Sequence, residues 1–177
     1  SVEHAVKIAN QLHIPLLYIS TAGIFGGNKD VYDEADTPEP LGHYGRSKYQ
    51  GEAYVQAHSN DYIICRAGWM MGGGPRKDKK FIQKIIHQIS NGKNRLHIVN
   101  DKLGTPTYTH DFANNTKILI ESQHRGLFHM VCGGLTGRYE VATELVSQLG
   151  LHNKINIEEV TSDFFAEEYF AERPACE

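Results

Sequence analysis

A tyrosine and a lysine four residues apart, preceded by a threonine, are the side chains in this sequence best suited to moving a proton. Tyr44 and Lys48 stand one helical turn apart, so they share a face if their segment is a helix. A free phenol titrates near pH ~10, and a nearby ammonium favours the phenolate and lowers that pKa. Tyr44 would then be a usable general acid, and the Thr21 hydroxyl could donate a hydrogen bond to the same substrate oxygen. The set predicts proton transfer at an oxygen beside a reacting carbon.

The same residues also allow a purely structural interpretation. A Tyr-x-x-x-Lys pair arises by chance on many helix surfaces, and Thr21 would then be an ordinary residue at a strand end. The functional interpretation is favoured because Ser20-Thr21 ends one apolar run and a second apolar run, residues 62–65, follows the helix.

Strands alternate with helices along the chain, as hydrophobic periodicity shows. Predicted helices cover residues 2–12, 44–58, 81–89, 111–122, 139–149 and 164–172. Predicted strands cover residues 16–19, 62–65, 96–99, 126–131 and 155–160, with loops at 20–40 and 68–74 and a turn or extended segment at 105–107. The run at 16–19 is typical of a strand buried between helices, and Asp111 is a candidate helix cap. This order predicts an α/β fold with a mostly parallel sheet.

Two glycine-rich loops, after Ile19 and after Cys65, follow predicted strands. In parallel sheets, ligands bind beyond the carboxyl ends of the strands. We therefore expect both loops to lie on one side of the sheet and to face one cleft.

Composition argues against several classes of function. A net charge of −3 creates no basic field for nucleic acid or an anionic membrane, and no apolar run could span a bilayer. Cys65, Cys132 and Cys176 form no Cys-x-x-Cys pair, which argues against a disulfide framework and a zinc site. We expect a cytoplasmic protein without metal, nucleic-acid or membrane partners.

Several motifs follow one another in an order that resembles the C-terminal part of an extended short-chain dehydrogenase/reductase. In chain order they are Ile19-Ser20-Thr21; Tyr44-Gly45-Arg46-Ser47-Lys48 with Gly51-Glu52; Arg66-Ala67-Gly68-Trp69; Asp101-Lys102-Leu103-Gly104-Thr105-Pro106-Thr107-Tyr108; Gly126-Leu127-Phe128-His129; and Glu172-Arg173-Pro174. Within that superfamily the sequence is most similar to the dTDP-4-dehydrorhamnose reductases, over essentially the whole chain. The resemblance implies part of a Rossmann-like, doubly wound parallel sheet with an interleaved small substrate-binding region.

The resemblance also implies a division of the chain. Residues 1–71 would form the later strands and the catalytic helix of the Rossmann-like domain. Residues 72–177 would be mainly the substrate-binding region, with about 101–131 returning to the Rossmann-like sheet.

The activity implied by the resemblance is the NADPH- or NADH-dependent reduction of the C4 keto group of a 4-keto-6-deoxy nucleotide sugar, in dTDP-L-rhamnose biosynthesis. Tyr44 would give the proton to the C4 carbonyl as hydride arrives from the nicotinamide, and Thr21 would orient that carbonyl. Lys48 would lower the pKa of Tyr44 and hydrogen-bond the nicotinamide ribose. Ile19 and Ala67 are expected to contact the cofactor together with these residues.

Substrate contacts are expected from Thr21, Ala22, Trp69, Thr105 and Arg173. Trp69 stands where the family has a sugar-contacting Trp, and a core aromatic is the alternative. Thr105 falls in a family segment near the substrate cleft, where a structural turn is the alternative. Arg173 could meet a nucleotide phosphate or be an ordinary solvated or ion-paired arginine.

Two segments depart from the family pattern. Ala22-Gly23 stands where the reductase usually has Asp-Tyr, which removes a carboxylate and a phenol from a substrate-lining segment. Met70-Met71 followed by three glycines replaces a more typical Val-Tyr-Gly. Both changes concern which sugar is recognised and leave the Thr-Tyr-Lys chemistry unaltered.

No Gly-x-Gly-x-x-Gly follows a predicted strand in this sequence. In the dinucleotide-binding fold that loop lies in the first strand-to-helix turn, so we expect it upstream of Ser1. The 177 residues alone should then bind NAD(P)H weakly or not at all, and their exposed sheet edge would favour aggregation.

Two other functions are compatible with the sequence. A nucleotide-sugar epimerase or dehydratase would use the same Tyr and Lys but keep NAD bound through its cycle. A non-catalytic regulatory subunit built on this fold is favoured by Ala22-Gly23 and disfavoured by the intact Thr-Tyr-Lys set. Each of these proteins could also be a homodimer.

Overall fold

The computed structural model describes residues 1–78, 80–167 and 174–176. The helices are α1 (Val2–Leu12), α2 (His43–His58), α3 (Phe81–Ser90), α4 (Thr109–Glu121) and α5 (Arg138–Gln148). The strands are β1 (Leu16–Thr21), β2 (Tyr62–Ala67), β3 (Trp69–Met71), β4 (Arg95–Val99), β5 (Leu103–Gly104), β6 (Pro106–Tyr108), β7 (Gly126–Met130), β8 (Thr136–Gly137) and β9 (Asn156–Val160). Short 3-10 helices span Ala22–Ile24 and Ser162–Phe165.

The main sheet has three parallel strands in the order β1-β2-β7. Thr21 pairs with Ala67, and Ala67 pairs with Met130, so the three carboxyl ends lie at one edge. This confirms the predicted α/β fold with parallel strands. It also places the loops after β1 and β2 on the same side, as the sequence predicted.

Strand β2 is buried on both faces, which accounts for its continuous apolar sequence. Ile64 faces α1 and α2, where it packs with Val6 and Val55. Ile63 and Cys65 face the other way, toward α4. This alternation follows from the two-residue period of a strand.

Strand β1 lies at an edge of the main sheet, because among the described residues it pairs only with β2. Ile19 is accordingly 47% exposed. The prediction that residues 16–19 form a buried strand between helices is therefore wrong about burial, although it is right about the strand.

A second core lies around the parallel pair β4–β9, which helices α3 and α5 cover. Its buried residues are Ile85, Leu96, Ile98, Ala142 and Val146. Two further small ladders, β3–β6 and β5–β8, follow the carboxyl ends of β2 and β7. The sequence did not predict these strands, because two or three residues are too few to show a period.

Two predicted helix boundaries need comment. Helix α4 begins at Thr109 after an extended Tyr108, so Asp111 lies in its first turn and is not its cap. There its negative charge interacts favourably with the positive end of the helix dipole. The predicted helix at 164–172 lies mostly outside the described residues.

Across the described ranges, no helix has both the length and the apolar character needed to cross a bilayer.

Candidate active site

The first turn of α2 meets the loop that follows β1, and a glycine makes this contact possible. A Cβ atom at Gly45 would lie far inside van der Waals distance of the Gly23 carbonyl oxygen, and 3.0 Å from Pro40 Cβ. The bare backbone of Gly45 therefore lets α2 approach the carboxyl end of β1. This contact brings the Tyr44 segment to the loop that begins at Thr21.

Thr21 ends β1 and caps the short 3-10 helix that directly follows it, Ala22–Ile24. The backbone N–H of Gly23 donates to Thr21 Oγ1 over 3.2 Å. Because the oxygen already accepts this bond, its orientation is fixed while the O–H proton remains able to donate. Thr21 is half-buried, so a substrate oxygen at the strand end could receive that proton.

Tyr44 projects from the first turn of α2 and is 66% exposed. Within the described part of the chain its hydroxyl makes no hydrogen bond, so it is available to a bound molecule. The predicted electrostatic effect of Lys48 on this phenol stays a prediction.

Lys48 points back toward β1. Its Nζ donates to the Ile19 carbonyl oxygen over 2.5 Å and lies 4.4 Å from the centre of the Tyr18 ring. Burial lowers the pKa of Lys48, and the Glu52 carboxylate partly opposes that shift. The amine is thus held at the exposed side of β1.

Tyr18 contacts Lys48 through both its ring and its hydroxyl. Its hydroxyl donates to the Lys48 carbonyl oxygen over 3.2 Å, and a Cβ atom at Gly51 would collide with that hydroxyl. Burial, followed by the charge of Glu52, raises the pKa of Tyr18, so this phenol remains a neutral donor. Sequence inspection missed Tyr18, since nothing in its spacing links it to the lysine.

The residues predicted to bind a nicotinamide cofactor divide between surface and interior. Ile19 is exposed and its carbonyl oxygen accepts from Lys48, whereas Ala67 is buried at the end of β2. The half-buried amine and the exposed phenol are donors that would suit the ribose and the carbonyl at a cofactor's nicotinamide end. The chain has no Gly-x-Gly-x-x-Gly loop that would hold the pyrophosphate.

A cleft of about 320 Å³ opens at the carboxyl ends of the main sheet. It is lined by Ala22, Phe25, Asp30, Val31, Tyr32, Arg66, Thr105, His129, Val131, Cys132, Gly134, Leu135 and Cys176. Two residues predicted to contact substrate, Ala22 and Thr105, lie in its wall. Because Ala22 has only a methyl group, it leaves room that a larger side chain would fill.

Two other predicted substrate residues, Thr21 and Trp69, are not among the residues that line the cleft. Trp69 belongs to β3, donates its backbone N–H to the Thr105 carbonyl, and stacks under the Arg138 guanidinium at 5.1 Å. It is not among the residues that line the cleft. Thr105 itself donates from Oγ1 to the Gly134 carbonyl over 3.3 Å, which supports the turn interpretation as well. Arg173 lies outside the described residues.

A buried ion pair at the cleft floor was not predicted. Arg66, 4% exposed, donates from Nη2 and Nε to both carboxylate oxygens of Glu52, which is fully buried, over 2.7 and 3.0 Å. Its Nη1 lies 3.1 Å from His129 Nε2. The available signal was a charged residue inside an apolar strand, since a buried Arg needs a partner.

Among the described residues, no cluster of three or more metal-ligating side chains occurs.

A hydroxyl at the end of a parallel strand, with a phenol and an amine on the next helix, is the set of groups expected at the active site of a short-chain dehydrogenase/reductase, and their roles here stay predictions. The chain belongs to the family described as RmlD substrate binding domain, which matches residues 1–176.

Curated relatives include enzymes and one subunit. The chain is 30% identical over 167 residues to dTDP-4-dehydrorhamnose reductase of Shigella flexneri, covering 88% of this chain and 54% of the enzyme. It is 28% identical over 141 residues to methionine adenosyltransferase 2 subunit beta of Danio rerio, covering 77% and 44%. The chain thus spans about half the length of the curated relatives it matches.

Solved structures of dTDP-4-dehydrorhamnose reductases are also similar to this chain. The dTDP-4-dehydrorhamnose reductase of Yersinia enterocolitica is 37% identical with a TM-score of 0.91, covering 99% of this chain and 60% of the enzyme. The reductase of Bacillus anthracis in complex with NADP is 28% identical with a TM-score of 0.90, at the same coverage.

Proposed function

We propose that the complete protein containing this chain reduces the C4 keto group of a 4-keto-6-deoxy nucleotide sugar with NADPH or NADH, as in dTDP-L-rhamnose biosynthesis. The observation that carries this proposal is at the carboxyl end of β1, where Thr21 ends the strand and the Lys48 amine binds the Ile19 carbonyl. The first turn of α2, which carries Tyr44, packs there against the loop after Thr21. The similarity to dTDP-4-dehydrorhamnose reductases supports it.

In the proposed reaction Thr21 donates its O–H to the C4 carbonyl oxygen and fixes its position. Tyr44 then gives its proton to that oxygen, so that the ketone becomes a hydroxyl. The Lys48 amine, which now binds the Ile19 carbonyl, would hold a ribose hydroxyl of the cofactor, and its charge would stabilise the resulting phenolate. The bound cofactor supplies the hydride to C4.

We also propose that residues 1–71 belong to the Rossmann-like domain and residues 72–177 mainly to the substrate-binding region. For about 101–131, the pairing of β7 in the main sheet and the packing of α4 against it support this proposal, whereas β5 and β6 pair outside that sheet. A cytoplasmic location, and a homodimer as the assembled form, are part of the same proposal.

A non-catalytic subunit is the second candidate. Ala22-Gly23 favours it by removing two substrate-lining side chains, and so does the similarity to a protein named as an adenosyltransferase subunit. The intact Thr21, Tyr44 and Lys48 favour the reductase.

The experiment is to add NADPH and a dTDP-linked 4-keto-6-deoxy sugar to the complete protein and to follow NADPH absorbance and the sugar product. Stoichiometric NADPH oxidation with formation of a C4 hydroxyl is expected. Turnover of the sugar without net oxidation would indicate an epimerase or dehydratase. A stoichiometric enzyme partner in a pull-down, with no NADPH oxidation, would establish the subunit.

A further inference from the structure

His129 lies near the end of β7, where its ring faces the buried Arg66 side chain. Arginine is only a donor, so the 3.1 Å contact from Arg66 Nη1 requires His129 Nε2 to accept. An imidazole that accepts at Nε2 is neutral and carries its proton at Nδ1. The Tyr32 backbone also acts on this ring, since it raises the pKa of His129 against the larger lowering effect of burial.

The backbone N–H of His129 holds a second residue of the loop after β1, Glu34. This N–H donates to Glu34 Oε1 over 2.7 Å. Although burial opposes it, this bond lowers the pKa of Glu34, so the acceptor remains a carboxylate. Next to it, the Tyr32 ring stacks on Phe25 at 4.2 Å, and Phe25 meets the His129 ring edge-on at 5.6 Å.

Residues 30–34 form no helix or strand, so individual contacts hold them in place. Besides the bond to His129, the Tyr32 hydroxyl accepts from the Lys29 backbone and donates to Asn28. Asp30, Val31 and Tyr32 form part of the cleft wall. The anchor beneath them is rigid, since Arg66 is held by the buried carboxylate of Glu52.

We propose that His129 is a positioning residue: its neutral imidazole binds the buried Arg66–Glu52 pair while its backbone N–H holds Glu34, and it thereby ties residues 30–34 to that pair and sets one wall of the substrate cleft. Protonation of the ring replaces the acceptor at Nε2 with a donor that faces Arg66, which breaks the tie and releases the segment. This inference deepens the proposed function, because it names what shapes the substrate site.

The charges around His129 set the direction of its pH response. Burial lowers the pKa of His129 and the Arg66 cation lowers it further, while the carboxylates of Glu34 and Glu52 oppose both. Asp36 is a further carboxylate whose pKa His129 influences. Because the folded-state pKa is lowered, the tie is intact above the ordinary value near 6.5 and is lost as the pH falls through the lowered pKa.

The test uses the complete protein and needs no turnover. The ring-nitrogen chemical shifts of His129 should show protonation at Nδ1 near neutral pH. Backbone amide protection in residues 30–36, corrected for intrinsic exchange, should fall by about tenfold or more between about pH 7.5 and about pH 5. In His129→Gln, which keeps an acceptor near Arg66 but cannot titrate, this pH dependence should disappear.

His13→Asn is the matched control, because His13 caps α1 with a φ of 53° that asparagine tolerates. It should keep the wild-type pH dependence. Protonation at Nε2, or protection of residues 30–36 that does not change with pH in the wild type, would overturn the inference even if the Gln variant fails to fold. If reductase activity is found, His129→Gln should raise KM for the sugar more than it lowers kcat. Absence of activity would contradict the proposed function and leave the tautomer and exchange results standing.

Discussion

Lys48 depends on a residue that takes no part in the proposed proton transfer. Tyr18 holds the lysine through its ring face and through a hydrogen bond to the Lys48 backbone. We predict that Tyr18→Leu lowers kcat/KM about two- to fivefold, because a partly exposed cation–π contact contributes about 0.5–1 kcal/mol. Tyr18→Phe keeps the ring face and should lose less. Steady-state kinetics of the complete protein would decide, and an equal loss in both variants would contradict a role for the ring.

The buried Glu52–Arg66 pair should matter for stability far more than its surface counterparts. Glu52→Gln leaves the Arg66 cation buried without its charge partner, which we expect to lower the free energy of unfolding by about 3–5 kcal/mol. Glu121→Gln breaks the exposed Lys117–Glu121 pair and should change the free energy of unfolding by about 0.5 kcal/mol or less. Urea denaturation measures both, and similar losses in the two variants would be the contrary result.

Residue type and spacing were enough to select Thr21, Tyr44 and Lys48 as candidates, because Tyr44 and Lys48 are one helical turn apart and Thr21 ends a predictable strand. The partners of these residues could not be found in that way. Glu52 and Arg66 are 14 residues apart on a helix and a strand, and only the packing of α2 on β2 brings them together. Tyr18 reads as an ordinary strand residue until the fold places Lys48 above it.

At the scale of elements, the close approach of α2 to the loop after β1 depends on Gly45. Gly45→Ala would force a methyl group against the Gly23 carbonyl, so we expect the free energy of unfolding to fall by about 1–3 kcal/mol and turnover to fall as Tyr44 moves. Gly133→Ala is the control, because a Cβ there meets nothing within 4 Å. Thermal unfolding and kinetics test this, and a Gly45→Ala variant as stable and active as the control would show that the contact is dispensable.

The bounds of most helices were predicted closely. Helices α1, α2, α3 and α5 begin and end within about one residue of prediction. Helices α1 and α3 carry a clear apolar stripe, whereas the buried residues of α2 include two glycines and Glu52. The strands β3, β5, β6 and β8 were missed, because pairing of two or three residues is decided by tertiary contacts. The exposure of β1 was also missed, since a run of apolar residues does not show which strands flank it.

At the scale of the whole molecule, the sheet presents β1 at an edge with Ile19 exposed. Because no Gly-x-Gly-x-x-Gly loop is present, we predict that the 177-residue chain alone binds NADPH weakly or not at all. Fluorescence titration of the isolated chain against the complete protein measures this. Tight binding by the isolated chain would mean that Lys48 and its neighbours hold the cofactor without a phosphate loop.

The most direct test of the account is Tyr44→Phe in the complete protein, assayed for NADPH oxidation with a dTDP-linked 4-keto-6-deoxy sugar. The phenol is exposed and, among the described residues, unbonded, so its removal should spare the fold. We predict that turnover is abolished while NADPH affinity stays within about threefold of the wild type. Turnover at the wild-type rate in this variant would contradict the assignment of Tyr44 as the proton donor.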